Sequence, residues 1–293
     1  MVDNNLKSLR DELTESESRL TLVENERDEL RKRISLLKSQ IAAEQPPSRS
    51  LQPNRSMSAP VASAEKVELF MSLFRGRADI FPKRWENQKN KRKGYSPACS
   101  NEWVKGLCKK PKVKCGECKA QAFIPVTAKS IIAHLQGRYV AGVYPMLPDE
   151  TCWFLAVDFD KGEWRQDVAA FVQTCKSRDV PFAVERSRSG DGAHVWFFFE
   201  SAVPATIARK MGCLLITETM SNHHALPMSS YDRLFPNQDT MPRGGFGNLI
   251  ALPFQNEPRR QGNSVFVDES WEPFQDQWGF LASIERISEP RIL

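Results

Sequence analysis

Asp158 and Asp160 stand two residues apart at the end of the apolar run CWFLAVDFD. In an extended strand such residues share a face, so both carboxylates project to one side while Val157 and Phe159 turn to the other, towards a core. Two like charges this close make each other harder to ionise. A divalent cation removes the conflict, and carboxylate oxygens are the hard donors that Mg2+ or Mn2+ prefers. Taken alone, Asp-x-Asp does not establish a metal site; a strand-end pair exposed to solvent is the plainer reading. Further along, VPFAVERSRSGDGAHVWFFFE has the form of a hairpin: an extended run, a Gly-rich turn over 189–192, then a second extended run. His194 and Trp196 share one face of the second strand, and Val195 and Phe197 share the other. The small turn residues let backbone N–H groups approach an anion, Arg186 and Arg188 add positive charge, and His194 would donate to a phosphate oxygen. A hydrogen-bonded core histidine is the other reading.

A second constellation precedes these strands. Cys99, Cys108, Cys115 and Cys118 form a C-x8-C-x6-C-x2-C series. The closing Cys-Gly-Glu-Cys is a tight knuckle able to present two thiolates to one tetrahedral zinc. Lys105, Lys109, Lys110, Lys112 and Lys114 surround it and favour thiolate formation. The wide first gap is unlike a standard finger. A redox Cys-x-x-Cys and buried free thiols are the alternatives to structural zinc. Cys152, Cys175 and Cys213 lie in apolar or helical contexts and read as core residues.

These groups need a body to hold them. With 293 residues, 41% hydrophobic and 10% aromatic, the chain can bury a substantial core. A net charge of +5 permits a polyanionic partner without demanding one. No run reaches membrane-span length, the N-terminus has no apolar signal core, and the odd cysteine number argues for a reducing compartment, so a cytoplasmic protein is expected. Residues 1–45 carry Leu6, Leu9, Leu13, Leu20, Val23, Leu30, Ile34, Leu37 and Ile41 on a 3,4 spacing, with Ser16 and Arg27 the polar seam positions. That spacing predicts a coiled-coil helix and self-association through it. The Pro- and Ser-rich residues 46–64 read as a flexible linker. From there to residue 290 helical and strand-like runs alternate in a mixed α+β domain, with the cysteine module at 95–126. Val67, Phe70, Met71 and Phe74 fall on one helical face, and FPKRWENQKNKRKGY is a basic stretch around Trp85 that reads as a nucleic-acid contact or a solvated loop.

In order and spacing, AVDFD, SRSGDGAHVWFFF and SYDRLFPNQDTMPRGGFGNLIALPFQ resemble the three motifs of the archaeo-eukaryotic primase superfamily. RGRADIFPKRWENQKNKRKGYSPACSNEWVKG, the cysteine cluster, GVYPMLPDETCWFLAVDFDK and QGNSVFVD resemble the primase domain of TOTE conflict systems, and the likeness covers about residues 65–285. It implies an RNA-recognition-like sheet and template-directed nucleotidyl transfer by a primase–polymerase using two Mg2+ or Mn2+ ions. It implies nucleoside triphosphates and a single-stranded or primed DNA template as partners. Carried over singly, Asp158 and Asp160 match the metal-binding pair. His194, after the small Gly192, matches the triphosphate-binding residue, with Ser187, Arg188 and Ser189 where that pocket would close. Asp232 is the choice for the third acidic motif, Asp239 its competitor, and Arg243 could approach phosphate or template. TOTE primase domains usually sit beside helicase and nuclease modules. This sequence holds no Gly-x-x-x-x-Gly-Lys-Ser/Thr, so it is expected to be either a fragment or a stand-alone version whose helicase or nuclease is a separate chain. The alternative is a catalytically inactive primase fold that only binds nucleic acid.

Overall fold

Glu65 reaches back to the backbone N–H groups of Val61 and Ala62, both at 3.2 Å, and starts the first helix of the main body. The computed structural model describes residues 12–19, 21, 22, 26, 29, 33, 60–88, 90–223, 228–241 and 244–292. The chain divides into two units, Met1–Arg55 and Ser56–Leu293. In the first unit the described residues are helical and exposed. Of the expected seam only Leu13 and Ser16 lie among them; Leu6, Leu9, Leu20, Val23, Arg27, Leu30, Ile34, Leu37 and Ile41 lie outside the described residues.

In the second unit helix α1 (Ser63–Leu73) is followed by the antiparallel hairpin β1 (Pro82–Glu86) and β2 (Lys93–Pro97). After the cysteine segment come α2 (Ala128–Leu135), β3 (Gly142–Val143), β4 (Thr151–Asp160), α3 (Trp164–Ser177), β5 (Ala183–Arg186) and β6 (Gly192–Pro204). Then follow α4 (Ala205–Asn222), β7 (Tyr231–Phe235), β8 (Ile250–Ala251), α5 (Asn256–Arg260), β9 (Val265–Phe266) and α6 (Gln277–Ser283). β7-β4-β6-β5-β9 make one antiparallel sheet. The succession β4-α3-β5-β6-α4-β7 in the spatial order β7-β4-β6-β5 is a split β-α-β arrangement, the order of an RNA-recognition-like sheet.

Period-two alternation along β4 and β6 feeds a core on each face. Leu155, Val157, Phe159, Val195 and Phe197 pack under α3 and α4, where Val168, Phe171, Ala208 and Leu215 meet them. Phe154, Ala156, Trp196 and Phe198 pack against Phe70 of α1, Ile131 of α2 and Leu281 of α6. The second core stops short of Asp158 and Asp160, so the carboxylates emerge where the covering layer ends. The helical face expected at Val67, Phe70 and Met71 is that of α1, with Phe74 buried just past its end. Cys152 and Cys175 are buried, and burial pushes both thiols up to about 12. Cys213 corrects the sequence reading: it is exposed on the outer side of α4 beside the exposed Leu214.

His134 ties α2 to two distant segments. Its Nδ1 accepts from the Ala141 N–H at 3.1 Å and its Nε2 donates to the Pro253 carbonyl at 2.8 Å. Both nitrogens are used by a neutral ring, and burial pushes its pKa down to about 4. The unfolded chain therefore binds a proton that the folded chain refuses. The stabilisation is complete above the ordinary histidine value of about 6.5 and is lost as pH falls from there towards 4, by about 3 kcal/mol. Melting temperature should drop over that window, and His134→Gln should flatten the drop; an equal pH dependence in both proteins would contradict this role.

Candidate active site

Strand register puts the chemistry in one row. Asp158 of β4 lies opposite His194 of β6, His194 lies opposite Glu185 of β5, and on the other flank Asp158 lies opposite Arg233 of β7. Directly paired residues share a face, so these four side chains stand together. Asp160 follows two positions on, opposite Gly192. A Cβ at Gly192 would sit 2.4 Å from the Phe159 carbonyl oxygen, which is why the residue that opens β6, two before the histidine, must be the smallest.

Glu185 is the residue the sequence reading missed. It is 2% exposed, and its Oε2 accepts from His194 Nδ1 and from Trp196 Nε1, both at 2.9 Å. His194 Nε2 stands 3.5 Å from Asp158 Oδ1. Burial alone would lower the imidazole pKa, but Glu185, Asp158 and Asp160 together outweigh it and raise it to about 9. His194 is thus held as a cation in mid-row. Asp158 is pushed up by burial and by the charges of Asp232 and Asp160, against the pull of His194 and Arg233.

Asp232 reaches the row through a register shift. β7 pairs Arg233 with Asp158 but Tyr231 with Phe159, so two residues on β7 answer one step on β4. Such a bulge re-aims a side chain that would otherwise alternate to the far face. Arg233 Nε donates to Asp232 Oδ2 at 2.7 Å. The start of β7 is fixed from behind by buried Asp167 of α3, which accepts from the Ser230 N–H at 3.0 Å and its hydroxyl at 2.6 Å. Asp239 lies instead in an ion pair with Arg209 of α4. Arg243 lies outside the described residues.

The turn after β5 is built as a small polar cradle. Gly190 has φ +79°, a left-handed conformation that glycine adopts without strain. Ser187 Oγ and Ser189 Oγ are 3.1 Å apart, and the Asp191 N–H donates to Ser189 Oγ at 3.2 Å. Arg188 Nη1 donates to Oε1 of buried Gln255 at 2.7 Å. Its pKa is lowered by burial and by the charge of Arg84 on β1, so two guanidiniums crowd one place. Arg186 is not part of the cradle as the sequence suggested: it is spent on the backbone carbonyls of Gly262, at 3.0 Å, and Trp271.

The four cysteines of 99–118 all line one small cavity. Hydrogen bonds from the backbone of Lys110 and then of Trp103 lower the Cys108 thiol pKa. Among the described residues, however, no three His, Cys, Asp or Glu side chains are drawn together closely enough to hold a metal ion, either here or at the acidic row. The donor types at both places suit a metal, hard carboxylate oxygens in one and cysteine sulfurs in the other. No described helix is long and apolar enough to cross a membrane.

The split β-α-β order of the sheet is the RNA-recognition-like arrangement that the resemblance implied. Residues 65–293 match the family model for the archaeo-eukaryotic primase domain of TOTE conflict systems, and the chain belongs to that family. Two solved structures are similar in part. The archaeo-eukaryotic primase domain of the cyanophage S-2L primase–polymerase is 13% identical, with 69% of this chain and 97% of that one covered at a TM-score of 0.33. The polymerase domain of ligase D from Mycobacterium tuberculosis, solved in complex with DNA, is 16% identical, with 78% and 83% covered at a TM-score of 0.40. No curated protein matches the chain.

Proposed function

We propose that this chain is a template-directed nucleotidyltransferase, a primase–polymerase that adds nucleotides to a strand paired with a single-stranded or primed DNA template. One observation carries the reading beyond family membership. Asp158 and Asp160 of β4 and Asp232 of β7 lie on one flank of His194, and beyond β5 the turn carries Arg188, crowded by Arg84 of β1. Such a site is polarised for a triphosphate held between acid and base.

Asp158, Asp160 and Asp232 would hold the divalent ions, Mg2+ or Mn2+. Bound there, the ions would neutralise triphosphate charge and make a 3′-hydroxyl easier to deprotonate. His194, fixed by Glu185 through Nδ1, presents Nε2 to a phosphate oxygen. Arg188 and the hydroxyls of Ser187 and Ser189 orient the same group, and Gly192 keeps the strand ends close enough for Asp160 to face it. We place this synthesis in a mobile-element or anti-invader conflict system, working with a separate helicase or nuclease, on the description of the family alone. The test is instruction by template. On a primed oligo-dT template the protein should incorporate labelled adenine nucleotides and reject guanine nucleotides; incorporation indifferent to the template would overturn the proposal.

The cysteine cluster belongs to the proposal as a structural zinc module. Freshly reduced protein should contain about one zinc per chain, and Cys115→Ser with Cys118→Ser should release it. Metal-free protein of full stability would remove the module from the account. Residues 1–45 are proposed to self-associate as a coiled coil.

A further inference from the structure

Between the β1–β2 hairpin and the cysteine segment lies a groove lined by Trp85, Arg92, Ser96, Glu102, Trp103 and Lys110. Its two indoles are among the exposed large apolar side chains of the described residues, Trp85 at 44% and Trp103 at 68%. Neither is there to fill a core. Trp85 lies across the hairpin from Gly94, and a Cβ at that position would come within 2.9 Å of the indole carbons. The glycine lets the ring lie flat on the backbone, with its outer face open. Trp103 is held at φ +63°, a left-handed conformation that bulky aromatics avoid. Lys110 Nζ lies 5.8 Å from the Trp103 ring centre and is anchored by Glu102 at 2.8 Å, and Glu102 also accepts from Ser96 at 2.9 Å. The groove therefore has a fixed polar floor between two aromatic platforms.

Charge identifies the occupant. Residues 83–119 hold twelve Lys and Arg against three Glu, a net +9, in a chain whose total is +5; everything outside this segment is net −4. Flat apolar faces set among phosphate-seeking cations fit unpaired bases on a polyanionic strand. A protein partner would find the aromatic faces but no use for the surplus of cations. The hairpin also joins the groove to the cradle. Trp85 and Ser96 face the groove, while Arg84 and Tyr95, on the opposite face, are electrostatically coupled to Arg188.

We propose that this groove binds the single-stranded template, with successive bases stacked on Trp85 and Trp103 and phosphates held by Arg92 and Lys110. The inference rests on the nucleotidyltransferase reading for the word template, but the binding itself is testable apart from synthesis. The probe is fluorescein-labelled dT12, read by anisotropy with no triphosphate and no divalent metal. Trp103→Ala and Trp85→Ala should each weaken binding by roughly 5- to 150-fold, and the double variant by more than either. Trp→Phe at both positions should restore most of the affinity, because any aromatic face can stack. Blunt duplex DNA should compete poorly. Trp103, so exposed, can be lost without harm to the fold, which keeps the test clean if Trp85→Ala loosens the hairpin. Trp103→Ala and the double variant binding dT12 as the parent does would overturn the proposal, as would a parent that does not bind it. Asp158→Ala should bind dT12 normally. A parent that binds through the tryptophans yet never incorporates nucleotides would leave the groove standing and the polymerase reading fallen. Incorporation by a parent whose binding ignores both tryptophans would do the reverse.

Discussion

Asp158→Ala and Asp160→Ala should each reduce nucleotide incorporation by at least about 10³-fold, the rate equivalent of the several kcal/mol that metal ligation supplies. Asp158 is the more deeply set of the two, its side chain 18% exposed against 47% for Asp160. Removing Asp158 also takes away one of the charges that keep His194 protonated. Its loss should therefore impair nucleotide affinity as well as turnover, whereas loss of Asp160 should fall mainly on turnover. Asp232→Asn should follow Asp160→Ala in direction. Asp239→Asn should leave incorporation within about threefold of the parent, because its partner is Arg209 on α4 rather than any member of the row. An inactive Asp239→Asn beside an active Asp232→Asn would reassign the third carboxylate. Binding of single-stranded DNA should survive all these changes and weaken with added salt, as phosphate contacts do.

Glu185→Ala should have the second largest effect, through position rather than contact with substrate. It leaves two donors, the part-buried His194 Nδ1 and the buried Trp196 Nε1, without their acceptor. Each unsatisfied group costs about 1–3 kcal/mol, so a marked fall in melting temperature accompanies the loss of a fixed imidazole. Glu185→Gln keeps the shape and one carbonyl acceptor while removing the charge that holds His194 cationic. It should fold near normally and raise KM for the nucleotide about tenfold or more, with a smaller change in kcat. A purely structural Glu185 would give the opposite pattern: lower stability in Glu185→Gln with KM unchanged.

What could be read in advance follows from what period-two alternation can say. Alternation in CWFLAVDFD placed Asp158 and Asp160 opposite Val157 and Phe159, and those two residues are fully buried in the structure. The Gly-rich turn between two extended runs is the β5–β6 hairpin. Alternation fixes a face within one strand but not the residue across from it, which is how Glu185 escaped notice. A hairpin register worked out from the turn would have set it opposite His194. Arg233 was further out of reach, because a bulge breaks the very period that alternation relies on, and Asp232 was named from the motif resemblance rather than from any alternation. Arg186 misled for a related reason. Its charge suggested phosphate, while the carbonyls of Gly262 and Trp271 that claim it lie some 75 to 85 residues away in sequence. Cys213 shows that a helical context says little about which side of the helix a residue occupies.

The most direct measurement is incorporation of labelled nucleotide on a primed single-stranded template with Mg2+ or Mn2+, run side by side for the parent chain and the Asp158→Ala, Asp160→Ala double variant. The account predicts template-dependent extension by the parent, abolished by chelation of the metal and absent from the double variant, which still binds the template. Extension by the double variant equal to that of the parent, or none by a parent that binds both template and triphosphate, would contradict it.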